Sequence, residues 1–150
     1  GVCIARSDPA MPVASLFAGL WGHRHAAHFN APTGVWRDTS GSGRDAQVTR
    51  GAVTKVGNAP DSVHLEGGPQ DGITFPPGSI PSTFTIFVVA RYTPGATARE
   101  RIFDATSGNW LHGFHGSGDG SGVAFYEEWK TVTGTDYGDE WMVIGGRNSG

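Results

Sequence analysis

The stretch TFTIFVVARY, residues 83–92, decides the fold class. Its ten residues are rich in β-branched and aromatic side chains, which suit a pleated and half-buried surface. Alternation points Phe84, Ile86, Val88 and Ala90 one way and Phe87 and Val89 the other. Both sets are apolar, which predicts a central strand covered on both faces. Thr93-Pro94-Gly95 ends it.

Shorter segments of the same kind lie on either side. Strands are predicted over 45–49, 62–66, 72–75, 101–104, 109–115, 122–129 and 141–144. Gly- and Pro-rich turns separate them, with a hairpin tip at GSGDGS (116–121). A helical turn or two fits only within 16–28. Composition agrees: Val, Ile, Thr, Phe, Trp and Tyr make up 47 of the 150 residues, against 4 Leu, 2 Lys and 5 Glu. The 24 glycines then read as the mark of many tight turns, including 67, 68, 145 and 146. The expectation is an all-β antiparallel sandwich. Residues 1–19, with Pro9 and Pro12 and no periodicity, read as a leader or linker, and 20–150 as the domain.

The formal net charge is −3, with no basic cluster to neutralise a phosphate backbone, which argues against nucleic acid as a partner. No apolar run reaches the roughly 18 residues that would suggest a transmembrane segment. The one cysteine, Cys3, leaves no internal disulfide.

Four segments carry a family likeness: WRDTSGSGRDAQVTRG (36–51), GSIPSTFTIFVVARYT (78–93), RIFDATSGNWLHGFHG (101–116) and GVAFYEEWKT (122–131). Trp36, Arg37, Asp38, Ser40, Gly41, Gly43, Arg91, Tyr92, Arg101, Asn109, Trp110, Gly113, Tyr126, Trp129 and Trp141 occur in the order of that pattern. The chain resembles the concanavalin A-like, laminin-G-like jelly-roll modules abundant in algal and protist proteins. The resemblance implies a jelly-roll β-sandwich. It also implies further strands after 141–144, so the sandwich is expected to be incomplete at its C-terminus with an unpaired edge.

The resemblance does not fix a function. The first expectation is a non-catalytic structural or interaction module. Its partners would be proteins of a larger assembly, extracellular, at the cell surface or at the periphery of a membrane-associated complex. The alternative is a lectin-like module that binds a glycan. Trp110, His112, His115, Tyr126 and Trp129 are the candidate ligand-binding residues, because aromatic faces suit pyranose rings. Trp110 and Trp129 equally suit core positions. His112 and His115 fall on opposite faces by alternation. No cofactor is expected, with calcium as the one candidate: Asp119, Asp136 and Asp139, beside Glu140, lie in acidic loops of the kind that supply oxygen ligands.

A glucan hydrolase is the remaining reading. It needs two carboxylates on one face, and the adjacent Glu127 and Glu128 face opposite sides of a strand. His23, His25 and His28 form an HxHxxH cluster without a neighbouring carboxylate or thiol, and read as exposed histidines. Arg91 and Arg101 are expected to pair with Asp38 or Asp104 and join strands.

Overall fold

A computed structural model describes residues 2–4, 22, 24–58, 62–96, 101–115, 121–131, 133–135 and 138–149. The described residues are all-β with antiparallel sheets. One 3₁₀ turn, Ala26–His28, interrupts them, within the segment expected to hold a helical turn. No helix among the described residues is long and apolar enough to cross a membrane. The strands, in order, are β1 (Val2–Ile4), β2 (Phe29–Asn30), β3 (Val35–Trp36), β4 (Ala46–Arg50), β5 (Thr54–Val56), β6 (His64–Gly67), β7 (Gly72–Thr74), β8 (Phe84–Tyr92), β9 (Trp110–Phe114), β10 (Ser121–Tyr126), β11 (Glu128–Thr131) and β12 (Met142–Asn148). β1 falls within the expected leader, and 5–20 lies outside the described residues. Two compact units divide the chain: Gly1–Cys3 with Ser82–Gly150, and Ile4–Pro81.

In the Ile4–Pro81 unit, β2, β3, β4 and β7 form one sheet and β5 pairs with β6. Phe29, Trp36, Ala46, Val63 and Leu65 are buried together, with Val48, Val53, Ile73 and Phe75 packed against them. Trp36 satisfies its one polar atom by donating from Nε1 to the His25 carbonyl at 2.8 Å. The WRDTSGSGRD segment becomes a loop built on Asp38, which is buried. Its carboxylate accepts from the Ser40 backbone N–H at 3.0 Å, the Ser40 hydroxyl at 2.9 Å and the Arg44 backbone N–H at 3.1 Å. Asp45 accepts in turn from the Asp38 backbone N–H at 2.8 Å. Asp38 therefore closes its own loop.

In the unit containing Ser82–Gly150, β8 lies between β12 and β1, and β10 lies between β9 and β11. β12 runs antiparallel to β8 over its whole length, from Met142 opposite Ala90 to Asn148 opposite Phe84. β9, β10 and β11 form the second antiparallel sheet. The two sheets pack through inward-facing residues of β8, β9 and β12: Val88, Ala90, Tyr92 and Phe114 are buried, with Ile86, Ile102, Phe103, Met142 and Ile144 against them.

Several expectations change here. β8 lies inside its sheet, but its outer face is only partly covered: Val89 is half-buried and Phe87 is 73% exposed. Residues 101–104 make no strand, only an isolated bridge from Asp104 to Leu111. The single strand expected over 122–129 is a hairpin. Glu127, at φ 65°, reverses the chain between β10 and β11, and Tyr126 pairs with Glu128 across it. Two glutamates carry no Gly or Asn turn signal, so the reversal is invisible in the composition. The last strand extends to Asn148 and takes in Gly145 and Gly146, which are not turn residues.

Candidate functional site

The five aromatic and histidine candidates divide into two groups, one on each face of the β9–β10–β11 sheet. Trp110, His112 and Tyr126 lie on the inner face. Tyr126 and Trp110 are cross-strand partners and stack at 5.4 Å and 22°. His112 continues the stack, 6.0 Å from Tyr126 and 6.4 Å from Trp110. Phe84 of β8 meets the edges of Tyr126 at 5.0 Å and of Trp110 at 6.1 Å.

His112 is 1% exposed, and both ring nitrogens are engaged. Nδ1 lies 2.6 Å from the Tyr126 hydroxyl, and Nε2 lies 3.4 Å from the Ile144 carbonyl of β12. A carbonyl only accepts, so Nε2 carries the hydrogen and Nδ1 accepts from the tyrosine. Burial pushes the His112 pKa down, partly opposed by the bond to Ile144, and burial pushes the Tyr126 pKa up. Both groups are therefore neutral at pH 7. β12 reaches this pair only because residue 146 is glycine: a β-carbon there would meet the Tyr126 hydroxyl and the His112 ring.

His115 and Trp129 form the outer group with Phe125. Phe125 and Trp129 are cross-strand partners with rings 5.3 Å apart and nearly perpendicular. His115 meets Trp129 at 6.0 Å. Trp129 is 46% exposed, so it is a surface residue and not a core anchor. His112 and His115 do separate, one buried and one half-buried, although the strand between them is irregular. Gly113 takes φ 89° beside the register shift at Ser121–Val123, which lets Phe114 also reach the core. Phe125 was missed in the sequence, though its alternation with Ala124 and Tyr126 puts it on the face opposite theirs.

The acidic candidates are only partly described. Asp119 and Asp136 lie outside the described residues. Asp139 is exposed, and its backbone carbonyl accepts from Arg91 at 3.4 Å. Arg91 also lies over the Trp141 ring at 4.8 Å, so its partners come from the 139–141 segment. Glu128 holds Lys130 at 2.7 Å, and that ammonium group keeps its carboxyl below the usual range. Among the described residues, no group of three His, Cys, Asp or Glu side chains is placed to hold a metal ion. His25 and His28 meet edge to face at 5.8 Å, and His25 caps the 3₁₀ turn by accepting from the Ala27 N–H at 3.1 Å. His23 lies outside the described residues.

A second exposed apolar surface lies on the other sheet. Phe87 of β8 and Val143 of β12 are 73% and 72% exposed, and both stand on the outer face of the strand pair. Val143 is opposite Val89, and Phe87 is opposite Gly145, which adds no side chain beside it. The described chain is thus an all-β protein with antiparallel sheets. No family model, no curated protein and no solved structure matches it.

Proposed function

We propose that the chain is a non-catalytic interaction module, of the concanavalin A and laminin-G-like kind, that engages a protein partner. The observation carrying this reading is the exposed outer face of β8 and β12, where Phe87 and Val143 are 73% and 72% exposed. Single exposed apolar residues are common, but here two stand on the same face of adjacent antiparallel strands, which favours burial against another protein. Sedimentation velocity on the full chain tests it. Concentration-dependent association that Phe87→Ser with Val143→Ser abolishes supports the reading. A wild-type chain that stays monomeric at all concentrations counts against it.

Trp129 favours a second reading, as a glycan-binding module. Its ring is half in solvent on an open sheet face and is held by Phe125 and His115. An indole so placed offers an apolar face to the C–H side of a pyranose. A glycan array run with and without chelator, on wild type and Trp129→Ala, tests both the ligand class and the calcium dependence. Binding that persists in Trp129→Ala removes this reading.

A further inference from the structure

We propose that His112 and Tyr126 form an acid-operated latch on the packing of the two sheets in the Ser82–Gly150 unit. The latch spans the layers: His112 belongs to β9, Tyr126 to β10, and the carbonyl that His112 bonds belongs to Ile144 of β12. The β12 backbone at Gly146 lies directly against both side chains.

The hydrogen bonds as they stand are those of the neutral ring. With His112 neutral, Nδ1 takes the tyrosine hydrogen and Nε2–H goes to Ile144. Protonation puts a hydrogen on Nδ1, pointing at the hydroxyl 2.6 Å away. The hydroxyl must then rotate, and its own hydrogen leaves the acceptor it had. An imidazolium also replaces a neutral ring in a buried position, which is costly without a counter-charge.

No described carboxylate is bonded to His112: the segment that bridges to β9 brings Asp104 and Arg101, and both are exposed. From β10 the titratable group facing His112 is Tyr126, and its own strand adds Trp110. From β12 it faces the Ile144 carbonyl and the Gly146 backbone, while Arg147 stands exposed on the opposite face. β8 brings Phe84 to the stack, and its Arg91 goes to the Asp139 carbonyl and the Trp141 ring. Glu128 and Lys130 of β11 pair with each other in solvent. Acidification therefore strains the contact between β12 and the β9–β10 sheet, and the strain is relieved when the layers part.

Urea unfolding of the full chain between pH 7.5 and 5.5, with NMR of the histidine rings, tests the latch. The urea midpoint of the wild type is expected to fall over this range. His112→Gln, which keeps a polar group and cannot titrate there, should lose at least half of that fall, while His115→Gln keeps it. Where His112→Gln does not fold, the wild-type NMR titration decides. Protonation of His112 should coincide with loss of the dispersed Trp110 and Tyr126 signals. An undiminished acid response in folded His112→Gln overturns the proposal. So does a protonated His112 beside unchanged Trp110 and Tyr126 signals.

Discussion

Gly146 and Tyr126 are in direct contact across the two sheets, and the contact leaves no room for a β-carbon on residue 146. Gly146→Ala is therefore expected to destabilise the protein by about 1–3 kcal/mol, the usual cost of overpacking a core. Gly145→Ala is the matched control. Its β-carbon would meet only the Phe87 ring, at 2.9 Å, and that side chain is exposed and free to turn away. Urea denaturation of the two variants should separate them clearly, and equal losses would mean that the β12 backbone does not press on Tyr126.

Glu127 is the one non-glycine residue with a positive φ among the described residues, at 65°. A side chain in that region is strained by roughly 1 kcal/mol, and glycine is not. Glu127→Gly should therefore raise the thermal midpoint despite the added freedom of the unfolded chain. Glu127→Val should lower it, because β-branching makes the same φ harder to reach. Differential scanning calorimetry reads both changes.

The strand framework was legible because it depends on local alternation. TFTIFVVARY is β8 with its inner residues as expected, and the segments around Ala46, Leu65, Ile73, Leu111 and Val123 are all strands. The two glycines of β12 were not legible, because their reason is a neighbour from another strand: Tyr126 and His112 for one and Phe87 for the other. The hairpin at Glu127 is carried by long-range pairing of β10 with β11 and leaves no turn residue to read. Of the site candidates, Trp110, His112, Tyr126, His115 and Trp129 were found as types. Their division between inside and outside follows from the sheet's second face, which a strand's own sequence does not define when both its faces carry aromatics.

Asp38 makes a further testable case. Three hydrogen bonds converge on its buried carboxylate from Ser40 and Arg44. Asp38→Ala leaves those donors unpaired and is expected to cost about 2–4 kcal/mol. Asp38→Asn retains one acceptor oxygen and should cost about half as much, on the same scale. Hydrogen exchange should show the 40–44 amides losing protection in both variants. Unchanged protection would show that the loop holds its shape without the carboxylate.

Tyr126 gives the same unit an alkaline dependence. Burial raises its pKa, so the unfolded chain loses this proton before the folded one does. The stabilisation is fully present below the unfolded value of about 10 and is lost as pH rises through the higher folded value. Tyr126→Phe removes that alkaline loss, at the cost of leaving His112 Nδ1 without its hydroxyl. Urea midpoints measured from pH 8 to 11 check the sign. A midpoint that falls equally in wild type and Tyr126→Phe would place the alkaline-sensitive group elsewhere.

Trp110 and Trp129 differ in burial, the first half-buried between the sheets and the second 46% exposed. Trp110 stacks on Tyr126 and meets Phe84 and Phe103, so Trp110→Ala opens a cavity between the sheets. Its expected cost is about 3–5 kcal/mol. Trp129 is half in solvent and gains mainly its edge contacts with Phe125 and His115, each worth about 0.5–1.5 kcal/mol at most. Trp129→Ala should therefore unfold within about 1–2 kcal/mol of wild type, on that same scale. A residue cheap for stability and aromatic on an open face is where a ligand would be felt. If Trp129→Ala keeps its fold yet loses binding on the glycan array, the outer face is a recognition surface. If it loses as much stability as Trp110→Ala, the ring belongs to the packing and the glycan reading fails with it.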